Sequence, residues 1–332
     1  MPIEVKRALI TGITGQDGSY LAEHLLSVGY QVHGMARRVA IPETEDRFKR
    51  ISHIMDRITL HSASLENYAS LYRLVANQEF TECYHLAAQS FVPDSFADEF
   101  TSMETNVLGT QYLIAALRDV QPECRVYFAG SSEMFGEVRQ VPQDEQTNFH
   151  PRSPYGISKV AGFHLARNFR EAYDMHCSSG ILFNHESPRR GSEFVTRKIA
   201  SGAAKIFLGL ETELVLGNLE ARRDWGHAAD YVAAMSLMLQ QDDPDDYVVA
   251  SGEDHSVRDF CEAAFSCVDL DYRDYVRSDP RFMRPAEVSR LLGDATKARE
   301  KLGWQPKYTF QDLVREMVEH DLDMWSKYRY IR

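Results

Sequence analysis

The first thirty residues join an apolar segment, a glycine-rich turn and an amphipathic segment without any spacer. Residues 7–11 predict a buried strand, and residues 20–28 predict a helix. Gly12, Gly15 and Gly18 lie in the turn between them. Glycine lets the backbone approach a pyrophosphate, and the N-terminus of a helix attracts that anion. Although the G-x-x-G-x-x-G spacing is not the commoner G-x-G-x-x-G, its position after a strand predicts a dinucleotide-binding fold.

Apolar segments continue to alternate with helical patterns after the glycine turn. Strands are predicted at five further segments: 31–35, 58–61, 84–88, 125–129 and 178–184. Helices are predicted at four segments: 105–117, 155–173, from 194 onward and 310–328. This alternation predicts the α/β class, with a Rossmann-like, doubly wound parallel sheet. Ligands of such sheets bind at the carboxyl ends of the strands.

The pattern becomes less regular in the second half of the chain, which suggests a second domain. Residues 1–178 are expected to form the nucleotide-binding domain and to include the catalytic residues. Residues 179–332 are expected to form a smaller, mixed C-terminal domain that mainly binds the substrate. The two domains are expected to be interleaved.

Four polar residues form the candidate catalytic group. Ser131 and Glu133 follow the strand predicted at 125–129, and Tyr155 and Lys159 share one face of a helix that begins near Pro154. A phenol titrates near ~10, but a helix N-terminus and a neighbouring ammonium group both favour phenolate. Tyr155 is therefore expected to act as a base near neutral pH. The Tyr-x-x-x-Lys pattern also occurs by chance, and its weight here comes from the nucleotide-binding fold upstream.

The residues after the second predicted strand indicate the cofactor. NAD enzymes usually place an acidic residue there for the ribose 2′-hydroxyl, whereas this chain has Arg37 and Arg38. Guanidinium groups suit a 2′-phosphate through forked hydrogen bonds. We therefore predict NADP, with a solvated basic loop as the alternative.

Composition excludes several classes of partner. The chain has 332 residues and a net charge of −12, which argues against a nucleic acid or an anionic membrane surface as the main partner. It has no apolar run long enough to span a membrane, and Lys6 and Arg7 lead directly into a strand, so no signal peptide is expected. The five cysteines lack metal-type pairs, which predicts reduced thiols in the cytoplasm and no metal.

Basic side chains nevertheless occur in polar segments of the C-terminal half. Lys198, Arg223 and Arg284 lie in three separate segments. An acidic chain that places cations in this way is expected to gather them around phosphate groups. Surface salt bridges are an equally good explanation for any one of them alone.

The sequence resembles the extended short-chain dehydrogenase/reductases that modify nucleotide sugars, and among these the GDP-mannose 4,6-dehydratases. The resemblance covers nearly the whole chain, and the segment around His185 is far more specific than the glycine turn. Seven segments carry it: GITGQDG (12–18), LAAQS (86–90), PRSPY (151–155), GILFNHESPR (180–189), FVTRK (194–198), RDWG (223–226) and RPAEV (284–288).

The resemblance implies an internal redox dehydration of GDP-mannose to GDP-4-keto-6-deoxy-mannose through bound NADP. It makes Tyr155 the base at the C4 hydroxyl, Lys159 the residue that holds the nicotinamide ribose, and Glu133 the base at C5. Glu133 or Ser131 would protonate the leaving C6 hydroxyl. The intact catalytic group argues against a non-catalytic NADP-binding protein on the same scaffold.

The resemblance also assigns ligand-binding positions. The positions implied for the cofactor are Gly12, Gly15, Gln16, Asp17, Gly18, Arg37, Arg38, Ser64, Leu65, Leu86, Ala88, Ser90, Tyr155, Lys159, His185 and Arg190. The positions implied for the GDP-sugar are Ser90, Asn184, Val195, Lys198, Gly217, Arg223, Arg284 and Glu287. The implied assembly is a homodimer or homotetramer.

Three departures from the family pattern bear on these expectations. Ser131 stands where the dehydratases usually have threonine, but it keeps the hydroxyl group, so the chemistry should survive. Ser64 replaces the usual acidic residue near the adenine, which predicts altered cofactor binding. The turn at 130–133 and the segment 105–109 also resemble the GDP-4-keto-6-deoxy-mannose reductases, so an NADPH-dependent reductase is an alternative. A dehydratase of a related sugar, such as a GDP-manno-heptose, is another.

Overall fold

The computed structural model describes residues 5–37, 47–283, 286, 288 and 290–329. Within these residues, seven parallel strands form the main sheet, in the order β3-β2-β1-β4-β5-β6-β10. The strands are β1 (Arg7–Thr11), β2 (Gln31–Ala36), β3 (Ile58–Ser62), β4 (Glu82–His85), β5 (Arg125–Ser131), β6 (Cys177–Leu182) and β10 (Asp246–Val249). The predicted Rossmann-like parallel sheet is confirmed.

Helices accompany the strands of this sheet. They are α1 (Gln16–Ser27), α2 (Tyr68–Ala76), α3 (Val92–Ala97), α4 (Glu99–Met103), α5 (Gly109–Val120), α6 (Pro154–Tyr173), α8 (Ala228–Met238) and α11 (Thr296–Leu302). The helix predicted at 105–117 is interrupted at its start, because residues 104–108 form a π-helical turn between α4 and α5. Asn106 in this turn donates from Nδ2 to the Gln89 carbonyl and to the Ser158 hydroxyl. These contacts join the turn to the segment after β4 and to α6.

Smaller sheets lie in the C-terminal half. β9 (Arg222–His227) pairs with β7 (Asn184–Glu186), β11 (Asp254–Ser256) and β13 (Arg290–Leu291), while β8 (Leu214–Leu216) pairs with β12 (Val276–Ser278). The helices here are α7 (Val195–Phe207), α9 (Val257–Ser266), α10 (Tyr272–Tyr275) and α12 (Phe310–Arg329).

Two hydrophobic cores stabilise these two regions. The first surrounds the main sheet, and the second lies between α7, α9 and α12 with Phe260 and Phe265 at its centre. Because β10 returns to the main sheet from the C-terminal half, the two regions share strands. The domain boundary at 178 stays a prediction. In the described part of the chain no helix is long and apolar enough to cross a membrane.

Candidate functional site

A cavity of about 1190 Å³ lies at the carboxyl ends of the parallel strands, where the topology places ligands. It is also bounded by residues of β8, β9 and α7. Most residues predicted from the sequence line it: Gly12, Gly15, Gln16, Asp17, Gly18, Arg37, Leu65, Leu86, Ala88, Ser90, Ser131, Glu133, Tyr155, Lys159, Asn184, His185, Arg190, Val195, Lys198, Gly217 and Arg223. Arg38, Arg284 and Glu287 lie outside the described residues.

The glycine turn packs too closely to admit side chains. Gly12 has a φ of +74°, and a Cβ there would lie 3.0 Å from the backbone nitrogen of Ala87. A Cβ on Gly18 would lie 2.3 Å from the Gly12 carbonyl oxygen. The turn therefore brings the N-terminus of α1 to the cavity wall, and Gly15 to Gly18 line the cavity.

Gln16 and Asp17, in the first turn of α1, contact the segment around His185, which belongs to β7 in the smaller sheet with β9. Gln16 Nε2 donates to the His185 carbonyl oxygen at 3.0 Å, and the Ser187 hydroxyl donates to Gln16 Oε1 at 2.8 Å. His185 Nε2 lies 2.9 Å from Asp17 Oδ2. These contacts join residues about 170 positions apart across the floor of the cavity.

Asp17 and His185 form a partly buried pair in which each group shifts the pKa of the other. Burial alone would raise the pKa of Asp17, but the charge and hydrogen bond of His185 outweigh it and lower the pKa from 3.8 to about 2. Burial alone would lower the pKa of His185, and the Asp17 carboxylate outweighs it and raises that pKa. Each group thus favours the charged form of the other, and a protonated histidine would offset the carboxylate charge beside the helix N-terminus, where an anion would bind.

The four candidate catalytic residues come together where β5 ends and α6 begins. Helix α6 begins at Pro154, as predicted, and the Ser153 side chain caps it by accepting from the Gly156 amide at 3.0 Å. Ser131 Oγ accepts from the Glu133 amide at 3.2 Å. Lys159 Nζ lies 5.8 Å from the centre of the Tyr155 ring. A hydroxyl, a carboxyl, a phenol and an amine therefore line one cavity wall.

Without a bound ligand, Tyr155 is not expected to be a phenolate at neutral pH, in contrast to the prediction from sequence. Burial raises the pKa of Tyr155 to about 12, although the hydrogen bond with Ser131 acts in the opposite direction. Burial also lowers the pKa of Lys159 to about 8, and its Nζ donates to the Ala129 carbonyl oxygen at 2.8 Å. Sequence spacing revealed the neighbouring ammonium group but not the desolvation, which is the larger effect on the phenol.

Cationic side chains reach the cavity from the C-terminal half. Arg190 Nε lies 3.0 Å from the buried carboxylate of Glu186, and its guanidinium stacks 3.5 Å above the Phe194 ring. Lys198 lines the cavity from α7. Arg223, 6% exposed, donates from one terminal nitrogen to the Val288 and Arg222 carbonyl oxygens, both at 2.8 Å.

The wall near Arg223 is built by close backbone contact. A Cβ on Gly217 would lie 2.5 Å from the carbonyl oxygen of Phe282, so the residue after β8 must be small. Phe282 and Met283 line the cavity there and are 57% and 47% exposed. They form an exposed apolar part of the cavity wall beside Gly217.

Sequence reasoning missed several charged residues that line the cavity, namely Arg47, Glu66, Glu186, Glu193 and Arg281, and Glu66 is the one with the most defined hydrogen bonds to its neighbours. It lines the cavity near Arg37, and its carboxylate accepts hydrogen bonds from the hydroxyl groups of Ser64 and Thr105. Ser64 is not among the residues that line the cavity, and its hydroxyl group instead binds the carboxylate of Glu66, which does line it. The signal that was available is the position of a carboxylate directly after a strand, at the edge where ligands bind.

The residues present fit a dinucleotide. Gly12, Gly15 and Gly18 line the cavity without side chains, the first turn of α1 lines it as well, and Arg37 lies beyond β2 at one end. Tyr155 and Lys159 lie where β5 and α6 meet the cavity. Among the residues in view, no group of three or more His, Cys, Asp or Glu is arranged to hold a metal ion.

Comparison with known proteins agrees with this geometry. A family model described as GDP-mannose 4,6 dehydratase matches residues 9–317. GDP-mannose 4,6 dehydratase 2 of Arabidopsis thaliana is 50% identical over 96% of this chain and 87% of its own length. The human GDP-mannose 4,6 dehydratase is 45% identical over 96% and 91%. Among solved structures, the UDP-glucose 4-epimerase of Thermus thermophilus in complex with NAD is 26% identical, with a TM-score of 0.82 over 95% of this chain and 98% of that one.

Proposed function

The chain belongs to the GDP-mannose 4,6-dehydratase family, and from this premise we propose how its cavity converts GDP-mannose to GDP-4-keto-6-deoxy-mannose. The activity is that of a hydro-lyase. The observation that carries the proposed mechanism is the meeting of Ser131, Glu133, Tyr155 and Lys159 in one cavity with the first turn of α1.

The cofactor of this fold is a nicotinamide dinucleotide, and we propose NADP. The first turn of α1 would bind the pyrophosphate, Lys159 the nicotinamide ribose, and Arg37 the 2′-phosphate. When bound, the nicotinamide supplies a temporary store for the hydride that leaves C4 of the sugar and returns to C6. Arg37 supports the choice because it is a cavity-lining cation where NAD enzymes carry an acidic side chain. Arg38, which shares this proposed role, lies outside the described residues.

Tyr155 accepts the proton of the C4 hydroxyl at its phenolic oxygen. Because burial raises the pKa of this phenol to about 12, the group needs positive charge nearby to act near neutral pH. Lys159 supplies part of this charge, and the positively charged nicotinamide of the oxidised cofactor, when bound in this cavity, would favour the phenolate further. The hydrogen bond with Ser131 acts in the same direction.

Glu133 removes the proton at C5, which the adjacent ketone has made acidic. The carboxylate is 8% exposed, so bulk water has little access to it. Glu133 or Ser131 then donates a proton to the departing C6 hydroxyl, and water leaves. A positioned acid–base group of this kind contributes roughly 10²–10⁴-fold to the rate.

The GDP-sugar would occupy the half of the cavity formed by β8, β9 and α7. Arg223 and Lys198 supply positive charge for the diphosphate in a chain whose net charge is −12. Arg284 is proposed for the same diphosphate and Glu287 for the nucleotide sugar, from outside the described residues. The remaining proposed substrate contacts are Ser90, Asn184, Val195 and Gly217.

We also propose a cytoplasmic homo-oligomer. Phe100 is 80% exposed on α4, Leu108 is 40% exposed in the π-helical turn, and Ile157 is 47% exposed on α6. Both α4 and the π-helical turn pack against α6, so these side chains belong to neighbouring elements that a second copy could cover. Four of the five thiols are buried and none forms a disulfide among the described residues, which suits a reducing compartment.

Turnover of GDP-mannose without added reductant tests the proposed reaction. The purified protein with a catalytic amount of NADP should form GDP-4-keto-6-deoxy-mannose over many turnovers. Conversion of the 4-keto sugar with stoichiometric consumption of NADPH, and no reaction of GDP-mannose, would identify a reductase instead. Dehydration of a GDP-manno-heptose but not of GDP-mannose would retain the mechanism and change the substrate.

A further inference from the structure

Glu66 is a carboxylate of the cavity wall that has no task in the proposed reaction. The loop after β3 brings Leu65 and Glu66 to the cavity, and the end of the adjacent strand β2 brings Arg37 beside them. Glu66 therefore lies at the end of the cavity where the proposed dinucleotide has its phosphorylated ribose, away from Tyr155 and Lys159.

Two hydroxyl groups hold the Glu66 carboxylate in a defined orientation. Thr105 Oγ1 donates to Oε1 at 2.7 Å, and the Ser64 hydroxyl donates to Oε2. Thr105 belongs to the π-helical turn and Ser64 to the loop after β3, so the carboxylate is fixed from two separate elements. The two oxygens together offer about four acceptor sites, and the hydroxyl groups of Ser64 and Thr105 and the backbone amide of Glu66 use three of them. One site remains for a ligand.

The charge of Glu66 makes it a strong acceptor. Burial alone would raise the pKa of its carboxyl, but the hydrogen bonds from Ser64, Thr105 and its own backbone amide, together with the nearby positive charge of Arg37, lower the pKa on balance. The group is therefore ionised at neutral pH. An ionised acceptor repels a phosphate, so the ligand group that meets it must be a hydrogen-bond donor.

Adenine provides that donor. The base attached to the ribose next to Arg37 carries a neutral 6-amino group, which is a donor, whereas a 6-oxo base presents an acceptor at the same position. We propose that Glu66 accepts a hydrogen bond from the 6-amino group of the dinucleotide's adenine and selects adenine over a 6-oxo base. The inference rests on the proposed function, which supplies the dinucleotide. Ser64 and Thr105 are positioning residues for this contact.

Binding of two dinucleotides to the purified full-length chain tests the assignment. Dissociation constants are measured by calorimetry for NADP and for its analogue with hypoxanthine in place of adenine, without substrate. We expect the unaltered chain to prefer NADP by roughly tenfold or more, as a charge-assisted hydrogen bond would give. In Glu66→Gln the preference should fall to about one, because an amide can donate to the 6-oxo group.

Two further variants define the contact. Ser64→Ala should lower the preference for NADP by less than Glu66→Gln does, since the Thr105 hydrogen bond remains. Glu99→Gln, an exposed carboxylate on α4 outside the cavity, should leave both constants unchanged.

Equal binding of the two dinucleotides by the unaltered chain overturns the assignment. An equal loss of both in Glu66→Gln overturns it as well, because the carboxylate would then serve the ribose or the loop. Measuring turnover of GDP-mannose by the same preparation distinguishes a wrong role for Glu66 from a wrong proposed function. A chain that dehydrates GDP-mannose yet binds both dinucleotides equally would contradict only the role of Glu66.

Discussion

The two halves of the cavity are built in different ways. In the cofactor half, the glycine turn, Arg37 and Leu65 follow strands of one parallel sheet and Ser131 is the last residue of another, so sheet topology brings them to one edge. In the substrate half, β9 pairs with strands that precede and follow it by dozens of residues. There Arg223 is held by the carbonyl oxygen of Val288, 65 positions away.

This difference predicts different consequences of mutation. A side chain at a strand end projects into the cavity while the sheet remains intact, so its loss should change chemistry or affinity alone. A side chain that also binds distant backbone should change affinity and stability together. The following experiments, from the largest expected effect to the smallest, test this distinction.

Glu133→Gln should have the largest effect, because elimination needs a base at C5 and the amide is not one. Overall dehydration should fall by roughly 10²–10⁴-fold, with an unchanged melting temperature. In deuterated water, exchange of the C5 hydrogen should slow to the same degree, whereas Glu137→Gln, an exposed glutamate, should behave as the parent. Parental exchange in Glu133→Gln would show that another group is the base.

Lys159→Met should lower the rate and change its pH dependence. Removal of the ammonium group leaves the Tyr155 phenol less acidic, so the acid limb of kcat/KM should move to higher pH. Because burial lowers the pKa of Lys159 to about 8, the ammonium is present below that pH and lost above it. The advantage of the parent should therefore shrink above about pH 8.

The matched control is Lys205→Met, which removes a lysine that pairs with Glu211 at 2.7 Å outside the cavity. Its profile of kcat/KM against pH should match the parent. Superimposable profiles for the parent and Lys159→Met would mean that the ammonium group does not act on the phenol.

Arg223→Gln should weaken GDP binding and also lower stability. Loss of a charge-assisted contact costs about 1.5–3 kcal/mol, and the Val288 carbonyl oxygen loses its donor at the same time. Calorimetry with GDP and thermal unfolding of the ligand-free protein measure the two effects. NADP binding should not change.

Arg222→Gln provides a neighbouring control on the same strand, because successive side chains of a strand point to opposite faces. Arg222 pairs with Asp254 and does not line the cavity. GDP affinity should stay at the parental value in this variant. A parental GDP affinity in Arg223→Gln would remove that residue from the substrate site.

Arg37→Ala should change cofactor choice without changing stability. NADP binding should weaken by about 1.5–3 kcal/mol, while NAD, which has no 2′-phosphate, should bind nearly as before. Arg57→Ala, an exposed arginine before β3, should alter neither affinity. Equal or tighter binding of NAD by the unaltered chain would contradict the NADP assignment.

Asp17→Asn should have the smallest effect, and it should depend on pH. A carboxyl whose pKa falls from 3.8 to about 2 on folding contributes at most about 2 kcal/mol. A lowered pKa gives stability that is present above pH 3.8 and is lost as the pH falls towards 2. Denaturant unfolding should therefore show a parent–variant difference that shrinks across this interval.

Asp56→Asn, at an exposed position before β3, should show no such dependence on pH. If the difference between the parent and Asp17→Asn stays constant from pH 5 to pH 2.5, the Asp17–His185 pair does not contribute in this way.

Local pattern was sufficient to predict six of the seven strands of the main sheet and the residues at its carboxyl edge, but not β10, which pairs with β6 from 64 or more positions further along the chain. The glycine turn, the start of α6 at Pro154 and the strand that delivers Ser131 were all predicted, because each depends on a few consecutive residues. The helix predicted at 105–117 was partly wrong. The π-helical turn at 104–108 is held by Asn106 contacts to Gln89 and Ser158, which are distant in sequence.

The sequence by itself thus determined the fold class, the edge at which ligands bind and the chemical groups available there. Only the tertiary structure decided how those groups behave. Burial sets the high pKa of Tyr155, Asp17 is paired with a histidine 168 positions away, and Glu66 is held by a hydroxyl group from another element. Desolvation and long-range hydrogen bonds depend on which distant segments exclude water from a group, and spacing along the chain does not encode that.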